Sequence, residues 1–395
     1  MSAQTKQKPF SAENLRGFKY LKGVRKVFER LHDHATARDT AGNRQLFYDH
    51  YASLLLLTYF NPIISTLRGT QHASTLAKVQ QTFGGKRTSL GSLSEASRVF
   101  DPELLHGIFR ELVQRNSGQT GSAQLSKKES EALADLTAVD GTLLKALPRL
   151  AWALWQDPQH RAVKMHLHFD VVQGVSREVS FTPAIGSEVT QLRKTIESGR
   201  LYVLDRGYAC FQLLQDILDA QSAFIVRLQD HTAFDVVSTQ RLKKADRAAG
   251  VTRDVVVDLG SAPYKHIVCQ PVRLIFVAMP NADHADKPIT MILATNRLDL
   301  SAELVVAAYR YRWQIELFFR WFKHILGCRH LLSHSPNGVA IQLYVALIAS
   351  LLVTLWTGKK PNKRTWEMLQ WYFAGWASEE EMAAHIASLP ERPTA

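Results

Sequence analysis

The chain has 395 residues, enough to bury a large core and to form two or three domains. Its composition, 46% hydrophobic and 21% charged, is that of a soluble globular protein. Forty-eight Lys and Arg against 36 Asp and Glu give a net charge of +12, which favours a polyanionic partner, most commonly nucleic acid.

The cysteines and the first residues bear on the compartment. Cys210, Cys269 and Cys328 are odd in number and widely spaced, which excludes a disulfide framework and zinc-site spacing. The polar start MSAQTKQKPFSAENLR has no apolar signal-peptide core. We therefore expect a protein of the reducing cytoplasm.

The first third of the chain alternates helical patterns with short polar breaks. QLFYDHYASLLLLTYF is strongly apolar, and DPELLHGIFRELVQR begins with an N-cap and a first-turn proline at Asp101-Pro102. Between them, the Gly/Ser-rich residues 84–100 are predicted to be a break. We predict a helical domain over residues 1–125 that serves DNA binding or dimerisation, with residues 116–130 as the linker.

From Leu136 the pattern changes to alternating strands and helices. LTAVDGTLL is predicted as a strand, residues 162–186 as a hairpin that turns near Gly174, and residues 187–199 as a helix from Ser187 to Gly199. RLYVLD and SAFIVRLQD are predicted as strands on either side of the helix FQLLQDILDAQ. This order predicts a mixed α/β sheet in a catalytic domain at residues 126–334.

Two further regions complete the chain. Residues 230–296 are β-rich without a convincing long helix, which predicts a β insertion in the α/β core. Residues 335–395 are predicted to be helical. Within them, Val339–Trp356 is nearly long enough to span a bilayer, but the polar Gln342, Ser350 and Thr354 favour a buried helix. We therefore expect no membrane partner.

The segment Ala302–Leu326 is predicted to form one long helix because it contains neither Gly nor Pro. At about 100° per residue, five of its polar side chains fall within an arc of roughly 80° on a mostly apolar helix. The members of this stripe are Tyr309, Arg312, Glu316, Arg320 and Lys323. A solvated face with i,i+4 ion pairs is the ordinary explanation. The narrow stripe and its aromatic flanks favour a functional face instead.

Two aspartates, Asp140 and Asp205, follow apolar strands, where side chains of a central sheet reach open surface. A single strand-end Asp is often only a cap or a turn former. With Glu316, however, three carboxylates in one cleft would repel each other unless divalent cations lay between them. Two Mg²⁺ ions held in this way catalyse phosphodiester displacement. The nearby Asp170, His166 and His168 are weaker candidates because they lie within the hairpin.

The spacing Y-x2-R-x3-E-x6-K at Tyr309, Arg312, Glu316 and Lys323 resembles the signature of DDE transposases of the insertion-sequence-4 family. The resemblance implies a ribonuclease H-like catalytic core that is interrupted by a β-rich insertion. It places the first catalytic Asp at Asp140, in VDG, and the second at Asp205, in LDRGY. The 111 residues from Asp205 to Glu316 (316 − 205) fit the inserted β region.

The resemblance also implies function. Asp140, Asp205 and Glu316 are expected to be catalytic and to bind Mg²⁺, with Mn²⁺ as a substitute. The expected DNA-phosphate-binding residues are Tyr309, Arg312, Arg320 and Lys323, with Arg206 and Arg227 as weaker candidates. The chain is then a DNA transposase that moves an insertion sequence by cut-and-paste, using metal-dependent cleavage and strand transfer.

The implied partners are double-stranded DNA, both element ends and target, and a second copy of the chain in the DNA complex. The implied location is the bacterial cytoplasm, at the nucleoid. Two alternatives stay open: a non-catalytic DNA-binding remnant of a transposase, and a nuclease that only hydrolyses.

Overall fold

The computed structural model describes residues 25–34, 43–61, 63–116, 127–146, 152–153, 161–280, 289–325, 331–359 and 361–389. Most of the predicted linker, Leu326 and Cys328 lie outside these ranges. The chain forms two compact units. The first comprises Met1–Gln119, Leu144–Val163 and Arg320–Ala395, and the second comprises Thr120–Leu143 and Lys164–Phe319. The three predicted domain ranges stay predictions.

The described helices are α1 (Tyr48–Phe60), α2 (Leu67–Ala73), α3 (Ala77–Phe83), α4 (Leu90–Val99), α5 (Pro102–Asn116), α6 (Lys127–Ala132), α7 (Glu188–Lys194), α8 (Phe211–Asp219), α9 (Lys244–Ala248), α10 (Ala302–Tyr311), α11 (Trp313–Ile325), α12 (Pro336–Thr357), α13 (Lys363–Ala374) and α14 (Glu379–Ser388). The strands are β1 (Leu136–Ala146), β2 (Arg161–Asp170), β3 (Val175–Pro183), β4 (Leu201–Leu204), β5 (Ala223–Arg227), β6 (Phe234–Thr239), β7 (Val251–Leu259), β8 (Val272–Met279) and β9 (Ile289–Thr295).

The first unit is built around the apolar helix α12, which packs against α1, α4 and α5. Ser335 caps its N-terminus by accepting a hydrogen bond from the Gly338 amide, and Tyr59 Oη donates to the Gln342 carbonyl at 2.7 Å. Among the described residues, α12 is the helix long and apolar enough to cross a membrane. However, 83% of its most apolar window is buried inside the protein, as in a core helix, so its membrane signal is weak.

The predicted break over residues 84–100 is wrong in its second half, where α4 forms. Ser89 accepts a hydrogen bond from the Ser92 amide and so caps the helix. Leu93 and Ala96 are buried in the helical unit. Tertiary burial of these two side chains outweighs the weak helix propensity of the Gly and Ser around them.

The second unit contains a nine-stranded sheet in the order β3-β2-β1-β4-β5-β9-β8-β7-β6. Strands β1, β4 and β5 are parallel. From β5 the sheet continues through β9, β8, β7 and β6, and each of these neighbouring pairs is antiparallel. β2 and β3 are joined by a four-residue turn, which only an antiparallel pair permits. The predicted mixed α/β architecture is confirmed, whereas its ribonuclease H-like character stays a prediction.

One hydrophobic cluster spans the parallel and antiparallel parts of this sheet. Leu213 and Ile217 of α8 lie in the same buried cluster as Tyr202 of β4, Val257 of β7 and Ile292 of β9. The β-rich block therefore shares its core with the parallel strands. α7 also differs from expectation, because it ends at Lys194 rather than at Gly199.

The helix predicted over Ala302–Leu326 is interrupted at Arg312, which separates α10 from α11. The Arg312 amide donates to the Tyr309 carbonyl, and the Ile315 amide donates to the Arg312 carbonyl. Both bonds reach back three residues rather than four, so the backbone is locally tightened. Arg312, at the junction of the two helices, carries the ion pairs of the candidate site.

Buried charges of the β-rich block fix the start of α10. The Asp246 carboxylate of α9 accepts a hydrogen bond from the Glu303 amide at 3.0 Å, at the positive end of the α10 dipole. Arg273 of β8 pairs with Asp254 of β7 through Nε and Nη2, at 2.8 and 2.6 Å, and its Nη1 donates to the Leu300 carbonyl. These contacts fix the position of α10, the helix that contains Tyr309.

We expect Asp254→Ala to lower the free energy of unfolding by about 3–5 kcal/mol. The reason is that Arg273, whose side chain is only 8% exposed, would be left as an unpaired buried charge. Urea denaturation measures the loss. Asp258→Ala, an exposed position on the same strand, is the control and should change stability by less than about 0.5 kcal/mol. Equal effects of the two substitutions would contradict the role of the buried pair.

Candidate active site

The pairing of the parallel strands brings the two predicted aspartates side by side. Leu136 pairs with Leu201 and Ala138 with Val203, an offset of 65 residues (201 − 136). Asp140 and Asp205 have the same offset (205 − 140). Extending this register two residues beyond the last pair places Asp140 beside Asp205, which directly follows β4, at the spacing of about 5 Å between adjacent strands.

The next strand adds a cation to this row. Leu204 of β4 pairs with Val226 of β5, an offset of 22 residues (226 − 204). The same offset places Arg227 beside Asp205 (227 − 205). Asp140, Asp205 and Arg227 therefore form one row across three strands.

Local hydrogen bonds orient both carboxylates. Asp205 caps the 3₁₀ turn Arg206–Tyr208, and its Oδ1 accepts from the Gly207 amide at 2.7 Å. The Gly141 amide donates to Asp140 Oδ1 at 2.8 Å. In both cases one oxygen is held by the backbone, and Asp140 Oδ2 faces Arg312 at 3.7 Å.

The junction between α10 and α11 supplies the remaining groups. Arg312 Nη2 donates to Glu316 Oε1 at 2.8 Å, while its Nη1 lies 3.7 Å from Asp140 Oδ2. The guanidinium also lies over the Tyr309 ring, 5.9 Å from its centroid. A single arginine thus bridges a sheet carboxylate and a helix carboxylate, and it joins Asp140 to Glu316.

Burial makes the charge of Asp140 costly. The pKa of Asp140 is raised to about 7, chiefly by removal from water and also by the nearby carboxylates of Asp205 and Glu188, whereas the Gly141 amide and the Arg312 guanidinium act in the opposite direction. Desolvation is the largest of these effects. A carboxylate with this pKa is poised between its charged and neutral forms at neutral pH.

Glu188 is an acidic neighbour that the sequence analysis did not identify. A Cβ added at Gly141 would lie 2.7 Å from Glu188 Oε1, so the carboxylate packs directly against the backbone after Asp140. Lys164 pairs with Glu188 at 3.2 Å, and Tyr208 is hydrogen-bonded to it. In sequence, Glu188 follows the N-cap Ser187, and an acid in the first turn of a helix is favourable for the helix dipole alone. The sequence therefore gives no separate signal that Glu188 lies beside Asp140.

Two arginines at the site carry spare donors. Within the described part of the chain, Arg227 Nε and Arg312 Nε are buried and have no hydrogen-bond partner. A buried, unsatisfied N–H costs about 1–3 kcal/mol, so an acceptor at these positions would be stabilising. Both arginines lie near Tyr309: burial raises the pKa of its hydroxyl, and the two positive charges oppose that shift.

The weaker candidates of the hairpin have structural roles. Asp170 is 2% exposed and pairs with Arg200 at 3.2 Å, and it lies beside the start of β1, whereas Asp140 lies further along that strand. His166 and His168 are hydrogen-bonded to Thr182 and Thr195, and burial lowers both imidazole pKa values to about 4. Both imidazoles are therefore neutral at pH 7, although His166 Nδ1 is buried without a hydrogen-bond partner among the described residues.

The other predicted phosphate-binding residues lie on the 3₁₀ turn after β4 and on α11. Arg206 is exposed on the 3₁₀ turn next to Asp205. Arg320 and Lys323 follow Glu316 on α11 by four and seven residues, about one and two helical turns. They belong to the other compact unit, and their assignment stays a prediction.

The donor set fits a hard divalent cation, because it consists of carboxylate oxygens whose charges are unfavourable together. Burial raises the pKa of Asp140, so a cation bound beside it would stabilise its charged form. Among the described residues, Asp140, Asp205 and Glu316 do not form a set with oxygens all within 4.8 Å of one another. The Arg312 guanidinium lies between two of them.

Residues 131–352, more than half of the chain, match the family model described as the transposase DDE domain, and these residues contain all nine predicted site residues. The chain belongs to this family of DDE transposases. The family predicted from the Y-x2-R-x3-E-x6-K spacing is thereby confirmed.

Curated relatives agree with this assignment. The chain is 31% identical over 233 residues to a putative transposase, y4zB, of Sinorhizobium fredii, a match that covers 58% of this chain and 62% of the relative. It is 22% identical over 290 residues to a probable transposase for insertion sequence element IS5377 of Geobacillus stearothermophilus, covering 73% and 72% of the two chains. It is 20% identical over 277 residues to a putative transposase for insertion sequence element IS4SA of Synechocystis, covering 69% and 72%.

The names of the last two relatives fit the expected insertion-sequence-4 assignment. Among solved structures, a synaptic complex of piggyBac transposase with hairpin DNA is similar at 9% identity and a TM-score of 0.42, covering 96% of this chain and 82% of that one. A likeness at this level supports no conclusion about fold or function.

The pKa of Asp140 predicts a pH-dependent stability. In the folded state Asp140 keeps its proton up to about pH 7, whereas in the unfolded chain it loses it near pH 4. The folded state therefore binds more protons in this window, and stability falls as pH rises from about 4 to 7.

We expect Asp140→Asn to raise the free energy of unfolding at pH 8 by roughly 2–4 kcal/mol in metal-free buffer, with no gain at pH 4. Denaturant titration at the two pH values measures this. Asp230→Asn, at an exposed turn, should change neither value. A gain in Asp140→Asn that persists at pH 4 would show that the effect is not electrostatic.

Proposed function

We propose that this protein is a DNA transposase that cuts an insertion sequence at its ends and joins it to target DNA by metal-dependent phosphodiester chemistry. The observation that carries the proposal is the row of Asp140 and Asp205 on adjacent strands, with Arg312 bridging Asp140 to Glu316. Family membership supports the reaction class.

Asp140, Asp205 and Glu316 are the residues we assign to metal binding, with Mg²⁺ as the metal. Bound there, divalent ions would activate the attacking water or 3′-hydroxyl and stabilise the leaving oxygen. Glu188 adds negative charge beside Asp140, and Lys164 moderates it. The protein's own contribution is to hold the carboxylates on rigid strands and a helix, partly shielded from water.

The cations of the site are assigned to the DNA backbone. Arg227 Nε and Arg312 Nε are buried donors without a partner among the described residues, and a phosphate oxygen would be a suitable acceptor for both. Tyr309 can donate its hydroxyl to a phosphate, because its raised pKa keeps it protonated at neutral pH. Arg206, Arg320 and Lys323 would extend this contact along the strand.

Other features support the wider proposal. The order β3-β2-β1-β4-β5, with β1, β4 and β5 parallel, supports a ribonuclease H-like core, and β6–β9 correspond to the proposed β-rich insertion. The net charge of +12 supports double-stranded DNA as the partner. We further propose a homodimer that holds two element ends, acting in the bacterial cytoplasm at the nucleoid.

Cleavage of the element's own end DNA tests the proposal. With Mg²⁺, we expect Asp140→Asn, Asp205→Asn and Glu316→Gln each to lower the cleavage rate by more than about 100-fold, because each removes a metal-binding oxygen. DNA binding, measured by fluorescence anisotropy, should persist. Glu303→Gln, an exposed acid on α10, is the matched control and should cleave normally.

Three outcomes would count against the assignment. Equal cleavage by Glu316→Gln and Glu303→Gln would place the chemistry elsewhere. Binding without cleavage by the wild type would indicate a DNA-binding remnant, and cleavage without strand-transfer product would indicate a hydrolytic nuclease.

The role of Arg227 can be tested separately by the salt dependence of DNA binding. If it contacts one phosphate, Arg227→Gln should weaken binding and make the slope of log K against log salt less negative by about 0.9. Arg297→Gln is the control, because Arg297 pairs with Asp299 near the opposite ends of the parallel strands. An unchanged slope in Arg227→Gln would exclude the phosphate contact.

A further inference from the structure

A second group of ligand-type side chains lies in the helical unit, apart from the carboxylates described above. His32, Asp49 and His50 each offer an atom such that all three lie within 4.8 Å of one another. His32 Nδ1 is 3.0 Å from both Asp49 oxygens, and His50 Nε2 is 3.5 Å from Asp49 Oδ2. Two imidazoles thus converge on one carboxylate.

Two segments of the chain build this cluster. His32 follows the 3₁₀ turn Glu29–Leu31, whereas Asp49 and His50 lie in the first turn of α1. The His32 ring stacks on Phe47 at 4.1 Å, and this contact fixes its direction. The Asp49 and His50 side chains are only 7% and 12% exposed, while His32 is 41% exposed. The group is therefore preformed and open to solvent on one side.

We propose that His32, Asp49 and His50 bind one zinc-class divalent transition-metal ion. Bond lengths of 2.0–2.1 Å in a tetrahedral zinc site imply ligand atoms about 3.4 Å apart. The two His–Asp separations of 3.0 and 3.5 Å need shifts of only a few tenths of an ångström to reach this value, and the ligand atoms of His32 and His50 lie within 4.8 Å of each other. Water on the exposed side of His32 would complete the coordination.

The chemistry of the ligands selects the metal class. Imidazole suits Zn²⁺, Co²⁺ and Ni²⁺, whereas Mg²⁺ and Ca²⁺ prefer all-oxygen sites. The site therefore differs in preference from the carboxylates of Asp140, Asp205 and Glu316.

A bound ion would join the 3₁₀ turn to the start of α1 and so stabilise the helical unit. It would do so independently of the DNA chemistry proposed above. The competing explanation is a His–Asp–His hydrogen-bonded group that binds no metal, and the two explanations differ in a direct measurement.

The test is zinc binding to the full-length protein. The chain is dialysed against Zn²⁺ in the presence of excess Mg²⁺, which occupies all-oxygen sites, and bound zinc is measured by atomic absorption. We expect one zinc per chain, a Tm raised by roughly 5 °C, and visible ligand-field absorption when Co²⁺ replaces Zn²⁺.

Variants locate the ion. His32→Ala and His50→Ala should each weaken zinc binding at least tenfold, while His72→Ala, an exposed histidine of α2, should bind as the wild type does. His32→Gln, at the most exposed ligand, serves if the alanine variants fail to fold. A wild type without zinc, or variants that bind it equally well, would overturn the proposal. Either result leaves the Mg²⁺-dependent cleavage test unaffected.

Discussion

The positive charge of Arg312 is the counter-charge on which the candidate site depends. Asp140 and Asp205 are neighbours because parallel strands of fixed register carry them, and Glu188 adds a further carboxylate beside Asp140. Such a cluster is unfavourable in a partly desolvated position. The Arg312 guanidinium offsets it by pairing with both Asp140 and Glu316.

This dependence explains why the β-rich block is integrated into the sheet. Arg312 can reach Asp140 only if α10 keeps its position over the parallel strands. Asp246 caps the start of α10, and Arg273 binds the carbonyl just before it. The strands that the sequence suggests as an insertion therefore share the core of β4 and β5 and also anchor the helix of the Tyr309 motif.

Sequence could predict the parts of the site that have a local signal. Asp140 and Asp205 each end an apolar run, and Glu316 lies on a recognisable stripe. Arg227 was a weak candidate because the register that aligns it with Asp205 is a long-range property. Glu188 was missed because a first-turn acid already has a local explanation. The break at Arg312 was missed because it lacks Gly and Pro, and α4 because its stability comes from burial rather than composition.

The guanidinium group of Arg312 is paired at its Nη atoms and, within the described residues, unpaired at its Nε. Its Nη atoms neutralise carboxylates, whereas its buried Nε has no partner among the described residues. A buried unsatisfied donor is costly, and a water, an ion or a ligand that accepts its hydrogen bond would remove that cost. Arg227 shows the same feature one strand away from Asp205. Arg273, by contrast, satisfies its Nε within the protein by pairing with Asp254. The proposed contact with a DNA phosphate would give Arg227 and Arg312 an acceptor that the described residues do not supply.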